Sequence, residues 1–461
     1  MKSTSSKLSV LIVLIGLFVA GSCDRQDSAP VVVLPTQPQI DWAEAEIGVI
    51  IHFDINIYAP ETYMAIDPAT LPDLKVFNPT KLNTDQWLEA AVALGAKYAV
   101  LVAKHGTGFC LWPSKVHPYH VGNTPWKDGQ GDIVADFIRS CKKYDVKPGI
   151  YYNTNFNTYY SAGRRMNMSE EKQKEYNQAV LQQLTELWTN YGHLFEIWFD
   201  GGVMVDEKGG IASAVAHLIE THQPKAVLFQ GPAKAKNLLR WIGNEDGRAT
   251  YPNWSTANTT TSSDGLEEIR EPTGSPDGKI WCPAEADFPN RKQSAWRGGW
   301  LWRADQEEYI FPASDLVDRY YTSVGANANM LVGMVIDTAG LFPEADRQQF
   351  VLAGNEIRRR FERVIAETSG KGKTINLKVG KQPMPVSCVV IQEDIASGER
   401  IRKYVVEAKI DGKWVLLCEG ESVGYKRIQQ FPTIQTDRLR LKIEESVGEP
   451  AIKKFATYGV Q

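Results

Sequence analysis

Short apolar segments alternate with longer amphipathic ones along most of this 461-residue sequence, between Gln39 and residue 366. The apolar segments have the length and composition of strands buried on both faces, and the longer ones space their apolar residues as helices do. Eight such strands with helices between several of them predict an α/β fold, a (β/α)8-type barrel. The predicted strands span residues 48–57, 97–103, 148–153, 194–199, 226–230, 239–242, 280–283 and 330–336, and the predicted helices span residues 85–94, 133–144, 170–191, 211–221, 313–324 and 344–365.

This regular alternation breaks down in two places. Residues 244–279 form a long connection rich in Gly, Pro, Ser and Thr, so we expect the barrel to be distorted there. After residue 366 the segments become short and strand-like, with a hairpin signal at Asp411-Gly412. The sequence therefore predicts a barrel over residues 39–366 and a C-terminal β-sandwich over residues 367–461. The sandwich strands are predicted at residues 374–379, 388–392, 404–410, 414–417 and 439–443.

The N-terminus has the features of an export signal. Lys2 and Lys7 precede an apolar stretch over residues 8–20, which is too short to span a bilayer. The small residues before Cys23 are similar to a bacterial lipobox, in which Cys23 carries the lipid; an ordinary secretory cleavage site is the alternative. We predict a signal peptide over residues 1–22, a polar tether over residues 23–38, and a lipoprotein in the periplasm or at the outer membrane and cell surface.

Composition and charge argue against several kinds of ligand. The formal net charge is −4 and there is no basic run, so the sequence lacks the positive surface that nucleic-acid binding requires. The cysteines after Cys23 lack CxxC and Cys/His spacing, so we expect neither a metal site nor a disulfide framework. The 13 Trp and 18 Tyr suit either core packing or stacking on flat apolar ligand faces.

Polar side chains gather at the C-terminal ends of the predicted strands, where barrels place their active sites. Asp200 follows a strand and precedes Gly201 and Gly202, which let the backbone turn away, although such a sequence also signals a simple turn. A polar cup with aromatic walls suits a sugar, whose hydroxyls need directional partners. The other residues near strand ends are His52, Lys104, His105, Asn153, Asn155, Arg240, Glu245 and Glu285, with Trp112, Trp254, Trp281 and Trp300 nearby.

Two acids at different strand ends meet the minimum requirement for glycoside hydrolysis. Asp200 and Glu285 are the predicted pair, one to attack the anomeric carbon and the other to protonate the leaving oxygen. Glu61 and Glu245 are alternative acids, which could instead form ion pairs with basic residues nearby. His52 could equally be a buried core histidine.

Several stretches of the sequence carry a resemblance to a known family. They are IIHFDINIY (50–58), VFNPTKLNTDQW (76–87), AKHGTGFCLWPSKV (103–116), PWKDGQGDIV (125–134), EIWFDGG (196–202), RWIGNEDG (240–247) and WCPAEADF (281–288). From Asp41 to its C-terminus the chain resembles the α-L-fucosidases of glycoside hydrolase family 29. The last stretch, with YYTSVGANANMLV (320–332), is similar to the branch that prefers fucose in α-1,3/α-1,4-linked branched oligosaccharides.

The resemblance implies an exo-acting, retaining enzyme that removes terminal fucose from oligosaccharides or glycoconjugates without a cofactor. Asp200 would be the nucleophile and Glu285 the acid/base. The resemblance also implies that His52, Glu61 and His105 hold sugar hydroxyls and that Trp254 lies near the sugar. With the strand-end residues added, the predicted substrate-binding set is His52, Glu61, His105, Trp112, Arg240, Glu245 and Trp254.

The sequence also departs from the family pattern. The usual run after the second strand is Lys-His-His-Asp-Gly, whereas here Gly106 and Thr107 follow His105, so one sugar-contacting imidazole is missing. Asp54 replaces the glycine that normally follows His-Phe. The alternatives to a fucosidase are a related α-glycosidase, such as an α-L-galactosidase, and a non-catalytic glycan-binding lipoprotein. The expected partner is a fucosylated glycan, with membrane contact only through a lipid on Cys23.

Overall fold

Eight parallel strands close into a barrel in the order in which they occur along the chain. The computed structural model describes residues 32–61, 67–163, 168–261, 267–269 and 271–459. The predicted (β/α)8-type barrel is confirmed. Its strands are β1 Ile47–His52, β2 Tyr98–Lys104, β3 Lys147–Tyr152, β4 Glu196–Phe199, β5 Val227–Phe229, β6 Leu238–Trp241, β7 Ala284–Phe288 and β8 Ala328–Val335.

Helices cover the barrel unevenly. The helices are α1 Gln37–Ala45, α2 Thr84–Leu94, α3 Ile133–Tyr144, α4 Glu170–Asn190, α5 Ala212–His222, α6 Ala313–Thr322 and α7 Glu344–Phe361. Residues 230–237 join β5 to β6 without a helix, and the described residues between β6 and β7 contain only short strands. These short strands are Thr256–Ala257, Thr260–Thr261, Glu267–Glu268 and Ile280–Trp281. The barrel is therefore distorted on this side, as predicted.

Short elements decorate the loops. The 3-10 helices are Ile55–Tyr58, Pro68–Thr70, Leu74–Val76, Val121–Asn123, Trp126–Gly129, Asp206–Lys208, Trp296–Gly299, Glu307–Tyr309 and Ile395–Ser397. A two-stranded ribbon, Phe156–Asn157 with Ala162–Gly163, follows β3.

Helix α3 illustrates how the sequence sets these elements. The Asp132 side chain accepts a hydrogen bond from the Ala135 N–H at 2.8 Å and so caps the first turn. Its buried residues, among them Ile133, Phe137 and Cys141, recur at helical spacing and face the barrel. Because both signals are local, the helix occurs at the predicted residues 133–144.

The seventh strand lies four residues later than predicted. Ile280–Trp281 pairs antiparallel with Thr256–Ala257, outside the barrel. The barrel strand is Ala284–Phe288, which pairs in parallel with β6 and β8. Glu285 is therefore the second residue of β7, and the prediction that it follows the strand is wrong.

A β-sandwich follows the barrel, as predicted. Its strands are β9 Val364–Lys371, β10 Thr374–Lys378, β11 Met384–Glu393, β12 Ile401–Ile410, β13 Lys413–Gly420, β14 Arg427–Thr436, β15 Arg438–Ser446 and β16 Ala451–Tyr458. They form the antiparallel sheets β9-β16-β11-β14 and β10-β15-β12-β13, which enclose their own apolar core. The predicted hairpin is confirmed, since Asp411 and Gly412 have φ values of 48° and 79° between β12 and β13. Strand β9 begins at Val364, inside the range assigned to the barrel, and α1 begins at Gln37, inside the range assigned to the tether.

Candidate active site

Asp200 lies at the C-terminal end of β4, where the chain leaves the barrel wall. The residues of β4 are buried, whereas Asp200 is partly exposed. The two residues that follow, Gly201 and Gly202, have φ values of 70° and 78°, which residues with a side chain rarely adopt. The carboxylate therefore lies at the mouth of the barrel because the glycines turn the backbone away from it.

Two side chains at the end of β3 hold this carboxylate. The Tyr151 hydroxyl donates to Asp200 Oδ2 at 2.7 Å, and Asn153 Nδ2 donates to the same oxygen at 3.1 Å. The Asn153 amide is oriented by its own Oδ1, which accepts from the N–H groups of Asn155 and Phe156 at 2.9 and 2.8 Å. Burial and the charge of Asp200 raise the pKa of Tyr151 well above its ordinary value, so the phenol remains a donor.

His52 and His105 lie beside Tyr151. The His105 ring stacks on Tyr151 with centroids 5.8 Å apart, and the His52 ring lies 6.0 Å from His105. Burial, with the charge of His105, lowers the pKa of His52 to about 3, so its imidazole is neutral at physiological pH. His52 Nδ1 is buried without a hydrogen-bond partner among the described residues. Such an atom is costly unless a ligand or water satisfies it.

Glu245 lies on the loop after β6 and faces the same mouth. Its Oε2 accepts a hydrogen bond from Trp300 Nε1 at 3.1 Å, and the Trp300 ring lies 4.9 Å from the ring of His52. The next residue, Asp246, accepts from Arg319 Nη2 at 2.9 Å, which anchors the loop to α6. An exposed carboxylate is thus held beside an aromatic wall of the cup.

Glu285, by contrast, lies in the N-terminal half of the barrel, away from the mouth. Its side chain is 0% exposed. Oε1 accepts from the Tyr98 hydroxyl at 2.7 Å and Oε2 from Trp198 Nε1 at 2.9 Å. Tyr98 and Glu196, both beside it, are the first residues of β2 and β4.

Two of the predicted substrate-binding residues, Trp112 and Arg240, lie away from the cup. Trp112 is 1% exposed and donates through Nε1 to Glu186 of α4 at 2.8 Å, outside the barrel. Arg240 is also buried, and its guanidinium points outward to the carbonyls of Pro272 and Trp254 at 2.5 and 2.6 Å. These two residues hold the barrel to a helix and to a loop, so the prediction that they face the cup is wrong.

Trp254 packs against the sandwich. It is 5% exposed, and the Arg402 guanidinium lies 4.8 Å from the centre of its ring. The adjacent Ser255 N–H donates to Glu399 of the sandwich at 2.9 Å. Asn253 donates to the carbonyls that precede β8, at the N-terminal end of the barrel. The prediction that Trp254 lies near the sugar site is therefore wrong.

Two other candidates at strand ends have defined partners. Glu61 is 75% exposed in its side chain and forms an ion pair with Arg303, on the loop that carries Trp300, so it lies at the rim. Lys104 is fully buried and donates to the carbonyls of Asn153 and Phe156. Burial lowers the pKa of Lys104 to about 7.

The two departures from the family pattern contact each other. The Thr107 hydroxyl donates to Oδ2 of Asp54 at 2.7 Å, and Asp54 Oδ1 accepts from the Asn56 N–H at 3.1 Å. Asp54 is 2% exposed, and its burial raises its pKa, although the charge of the adjacent His105 opposes this. Asp54 and Thr107 therefore form one bonded unit next to His105.

Sequence reasoning missed Tyr151 and Asp287. Tyr151 precedes Asn153 by two residues and so shares its face of β3, a spacing that could have identified it. Asp287 lies one inward position beyond Glu285 on β7 and accepts from Trp241 Nε1 at 2.6 Å. Burial and the charge of Glu245 raise its pKa well above the ordinary value. Asp287 is thus a second buried carboxyl group, on the side of Glu245.

Among the described residues, no group of three or more His, Cys, Asp or Glu side chains is arranged to hold a metal ion. In the same part of the chain, no helix is both long and apolar enough to cross a membrane.

The family model for α-L-fucosidases matches residues 34–355, which span the barrel and its site. The chain belongs to the α-L-fucosidase family. It is therefore a glycoside hydrolase of family 29. Nearly its whole length is shared with curated relatives. It is 30% identical to α-L-fucosidase 1 of Arabidopsis thaliana over 93% of this chain and 88% of that protein.

Solved structures extend the similarity to the complete fold. A Bacteroides thetaiotaomicron protein assigned to the α-L-fucosidases is 38% identical, with a TM-score of 0.86 over 94% of this chain and 100% of that chain. A glycoside hydrolase 29 family member from a rumen bacterium is 28% identical, with a TM-score of 0.79 over 94% of this chain and 78% of that chain. Both the barrel and the sandwich are thus shared by this α-L-fucosidase family member and its relatives.

Proposed function

We propose that this protein is an exo-acting, retaining α-L-fucosidase in which Asp200 is the nucleophile and Glu245 the acid/base. The observation that carries the proposal is the connection between the two carboxylates at the mouth. Asp200 is bonded to Tyr151, the His52 ring lies between Tyr151 and Trp300, and Trp300 is bonded to Glu245. Glu245 thus replaces Glu285, the acid predicted from the sequence.

Asp200 has the features of a glycosidase nucleophile. Among the described residues, the hydrogen bonds to its carboxylate converge on Oδ2, which leaves Oδ1 for the anomeric carbon. Two donors at fixed positions orient the carboxylate without a conformational change during the reaction. Attack by Oδ1 forms a covalent fucosyl-enzyme intermediate.

Glu245 has the exposure that a general acid/base needs. Protonated Glu245 gives its proton to the leaving glycosidic oxygen as Oδ1 of Asp200 attacks. As a carboxylate, it then takes a proton from the water that hydrolyses the intermediate. Two displacements at one carbon give fucose with its original anomeric configuration. Glu285 is fully buried and already accepts two hydrogen bonds, so neither the leaving group nor water reaches it.

The rings around Asp200 supply the sugar contacts. His52 Nδ1, which has no hydrogen-bond partner in the described part of the chain, and the partly exposed His105 face the space beside the nucleophile and suit two sugar hydroxyls. Trp300, which is partly exposed, offers its ring to the apolar side of the sugar. Glu61 lies at the rim, where a second sugar of the substrate would sit.

Hydrolysis of an aryl α-L-fucoside, followed by NMR before the product mutarotates, tests the proposal. We expect α-L-fucose as the first product and its absence with Asp200→Asn. The same assay with an aryl α-L-galactoside and with α-1,3/α-1,4-fucosylated oligosaccharides defines the substrate class. β-L-fucose as the first product, or full activity of Asp200→Asn, would refute the proposal.

A further inference from the structure

Two carboxyl groups lie against each other inside the barrel, below the nucleophile by two inward positions along β4. Glu196 of β4 and Glu285 of β7 are both 0% exposed, and their side chains interact directly with each other. Tyr98 fits between β1 and Glu285 because position 48 is glycine, where a Cβ atom would lie 2.3 Å from the Tyr98 ring. The groups that face the pair are Tyr98 on β2, Trp42 on α1, Trp198 on β4, Asn329 on β8 and Asp287 on β7.

The hydrogen bonds indicate which carboxyl group holds the proton. Glu285 accepts from Tyr98 on Oε1 and from Trp198 on Oε2, so both of its oxygens already have donors. Glu196 Oε1 is buried with no donor among the described residues, and Trp42 reaches its Oε2 only at 3.4 Å. Burial raises the pKa of Glu285 to about 7 and that of Glu196 well above its ordinary value. Glu196 is therefore the acid that keeps its proton and donates it to Glu285.

A continuous set of contacts joins this pair to the nucleophile. Glu285 holds Trp198 through the indole N–H at 2.9 Å. The Trp198 ring stacks between Phe229 and Tyr151, with centroids 4.0 and 5.2 Å away. Tyr151 then donates to Asp200 at 2.7 Å.

We propose that Glu285, with Glu196 as its proton donor, is a positioning residue that holds Trp198 and thereby Tyr151 in place to orient Asp200. The proposal rests on the assignment of Asp200 as the nucleophile. It gives Glu285 a role in the reaction without contact with the substrate. A shift of the Trp198 ring also shifts the Tyr151 ring that stacks on it. The Tyr151 hydroxyl is then no longer aimed at Oδ2 of Asp200.

The two glutamates respond differently to the same substitution. In Glu196→Gln the side-chain amide reproduces the donated proton, so kcat on an aryl α-L-fucoside stays within about twofold of the wild type. In Glu285→Gln an amide N–H faces the donor of Trp198 or Tyr98, and kcat falls about ten- to a hundredfold with little change in KM. Glu399→Gln is the matched control, a buried carboxyl group held by Ser255 and Asn327 at the sandwich, and should retain activity.

A double-mutant cycle tests whether Glu285 acts through Trp198. Trp198→Phe keeps a ring in the stack but removes the N–H, so its kcat should fall about as far as that of Glu285→Gln. The double variant should lose little more than either single variant, because both remove the same hydrogen bond. Additive losses, a fully active Trp198→Phe, or equal losses in Glu196→Gln and Glu285→Gln would overturn the proposal.

Stability against pH tests the shared proton without any substrate. Since the folded pKa of Glu196 lies above the ordinary value of 4.5, the native state binds more protons than the unfolded state above that pH, and stability falls as pH rises. Glu196→Gln has no such proton to lose, so its Tm should fall less than that of the wild type as pH rises above about 4.5. An equal or steeper fall would overturn the proton assignment. An inactive wild type that shows the expected difference in Tm would instead refute only the proposed function.

Discussion

Trp300 donates its indole N–H to Oε2 of Glu245 at 3.1 Å and so joins the loops that follow β7 and β6. Asn290 and Arg291, at the start of the first loop, are held by the fully buried Asp346 of α7, with Arg291 Nη2 2.8 Å from its Oδ2. Arg319 anchors the second loop through Asp246. The acid we propose for catalysis therefore lies between two fixed loops at the barrel mouth.

The first prediction concerns the leaving group. Glu245→Ala should lower kcat/KM on a natural fucosylated oligosaccharide by about a hundredfold or more, because a sugar alkoxide leaves only when protonated. The loss on a nitrophenyl α-L-fucoside should be much smaller, since nitrophenolate needs little assistance. Glu356→Ala, which removes a carboxylate of α7 that forms ion pairs with Arg359 and Arg360, is the control and should affect both substrates to a similar and small degree. An equal, large loss on both substrates for Glu245→Ala would contradict its role as the acid.

Much of the barrel could be predicted because its signals are local. The apolar run that ends at Asp200 predicted β4. The two glycines that follow Asp200 predicted that its carboxylate is at least partly exposed. Strand β7 could not be placed in the same way. Two of its five residues, Glu285 and Asp287, are carboxylates buried inside the barrel, where charged residues are rare. The apolar segment just before β7 has the stronger strand pattern. The sequence prediction therefore took that segment as the strand and placed Glu285 at the mouth instead of in the interior.

The tryptophans show a second limit of the sequence. Proximity to a strand end does not reveal which way a side chain points. Trp112 and Trp254 lie near strand ends in sequence, yet one bonds to Glu186 on α4 and the other packs on Arg402 of the sandwich. These partners are distant in sequence, so only the packed fold identifies them. Trp300 also lies on a loop between barrel elements, but its ring lies 4.9 Å from the ring of His52 in the cup.

The second prediction concerns Gly106, where the family pattern has an imidazole. Its carbonyl accepts from the Thr158 N–H and hydroxyl at 2.8 and 3.1 Å, so the backbone is fixed and does not move to replace the missing ring. An unmade hydrogen bond at a buried hydroxyl costs about 1 to 3 kcal/mol, or about ten- to a hundredfold in kcat/KM. We expect weak turnover of a simple aryl α-L-fucoside. A branched oligosaccharide that fills the space left by the missing imidazole should be turned over better. Equal efficiency on the two substrates would show that another residue replaces the imidazole.

The third prediction concerns stability in acid. Burial, followed by the charge of Lys104, lowers the pKa of His117 to about 3, while the unfolded residue keeps a value near 6.5. Below that value the unfolded state binds a proton that the native state does not, so this histidine makes the protein less stable as pH falls from about 6.5 to 3. His117 accepts from the Tyr119 N–H and contacts Gln183, away from the cup. The Tm of His117→Gln should lie furthest below that of the wild type at pH 7 and approach it toward pH 4. A constant or widening difference would contradict the lowered pKa.

The fourth prediction concerns Cys23, which lies outside the described residues. We propose that a lipid on Cys23 anchors the exported protein to a membrane. In fractionated cells of a bacterial host that processes lipoproteins, the wild type should occur with membranes and Cys23→Ala in soluble fractions or as uncleaved precursor. A Cys23→Ala protein that is processed and still bound to membranes would show that the anchor lies elsewhere.

Trapping of the covalent intermediate tests the central claim most directly. A 2-deoxy-2-fluoro-α-L-fucosyl donor with a good leaving group slows hydrolysis of the intermediate, so the retaining mechanism predicts accumulation of one fluorofucosyl group per chain. Peptide mass spectrometry should place the label on Asp200, and Asp200→Asn should remain unlabelled. A label on Glu245, Glu285 or Asp287 instead, or unlabelled enzyme that releases β-L-fucose from its substrate, would contradict the account.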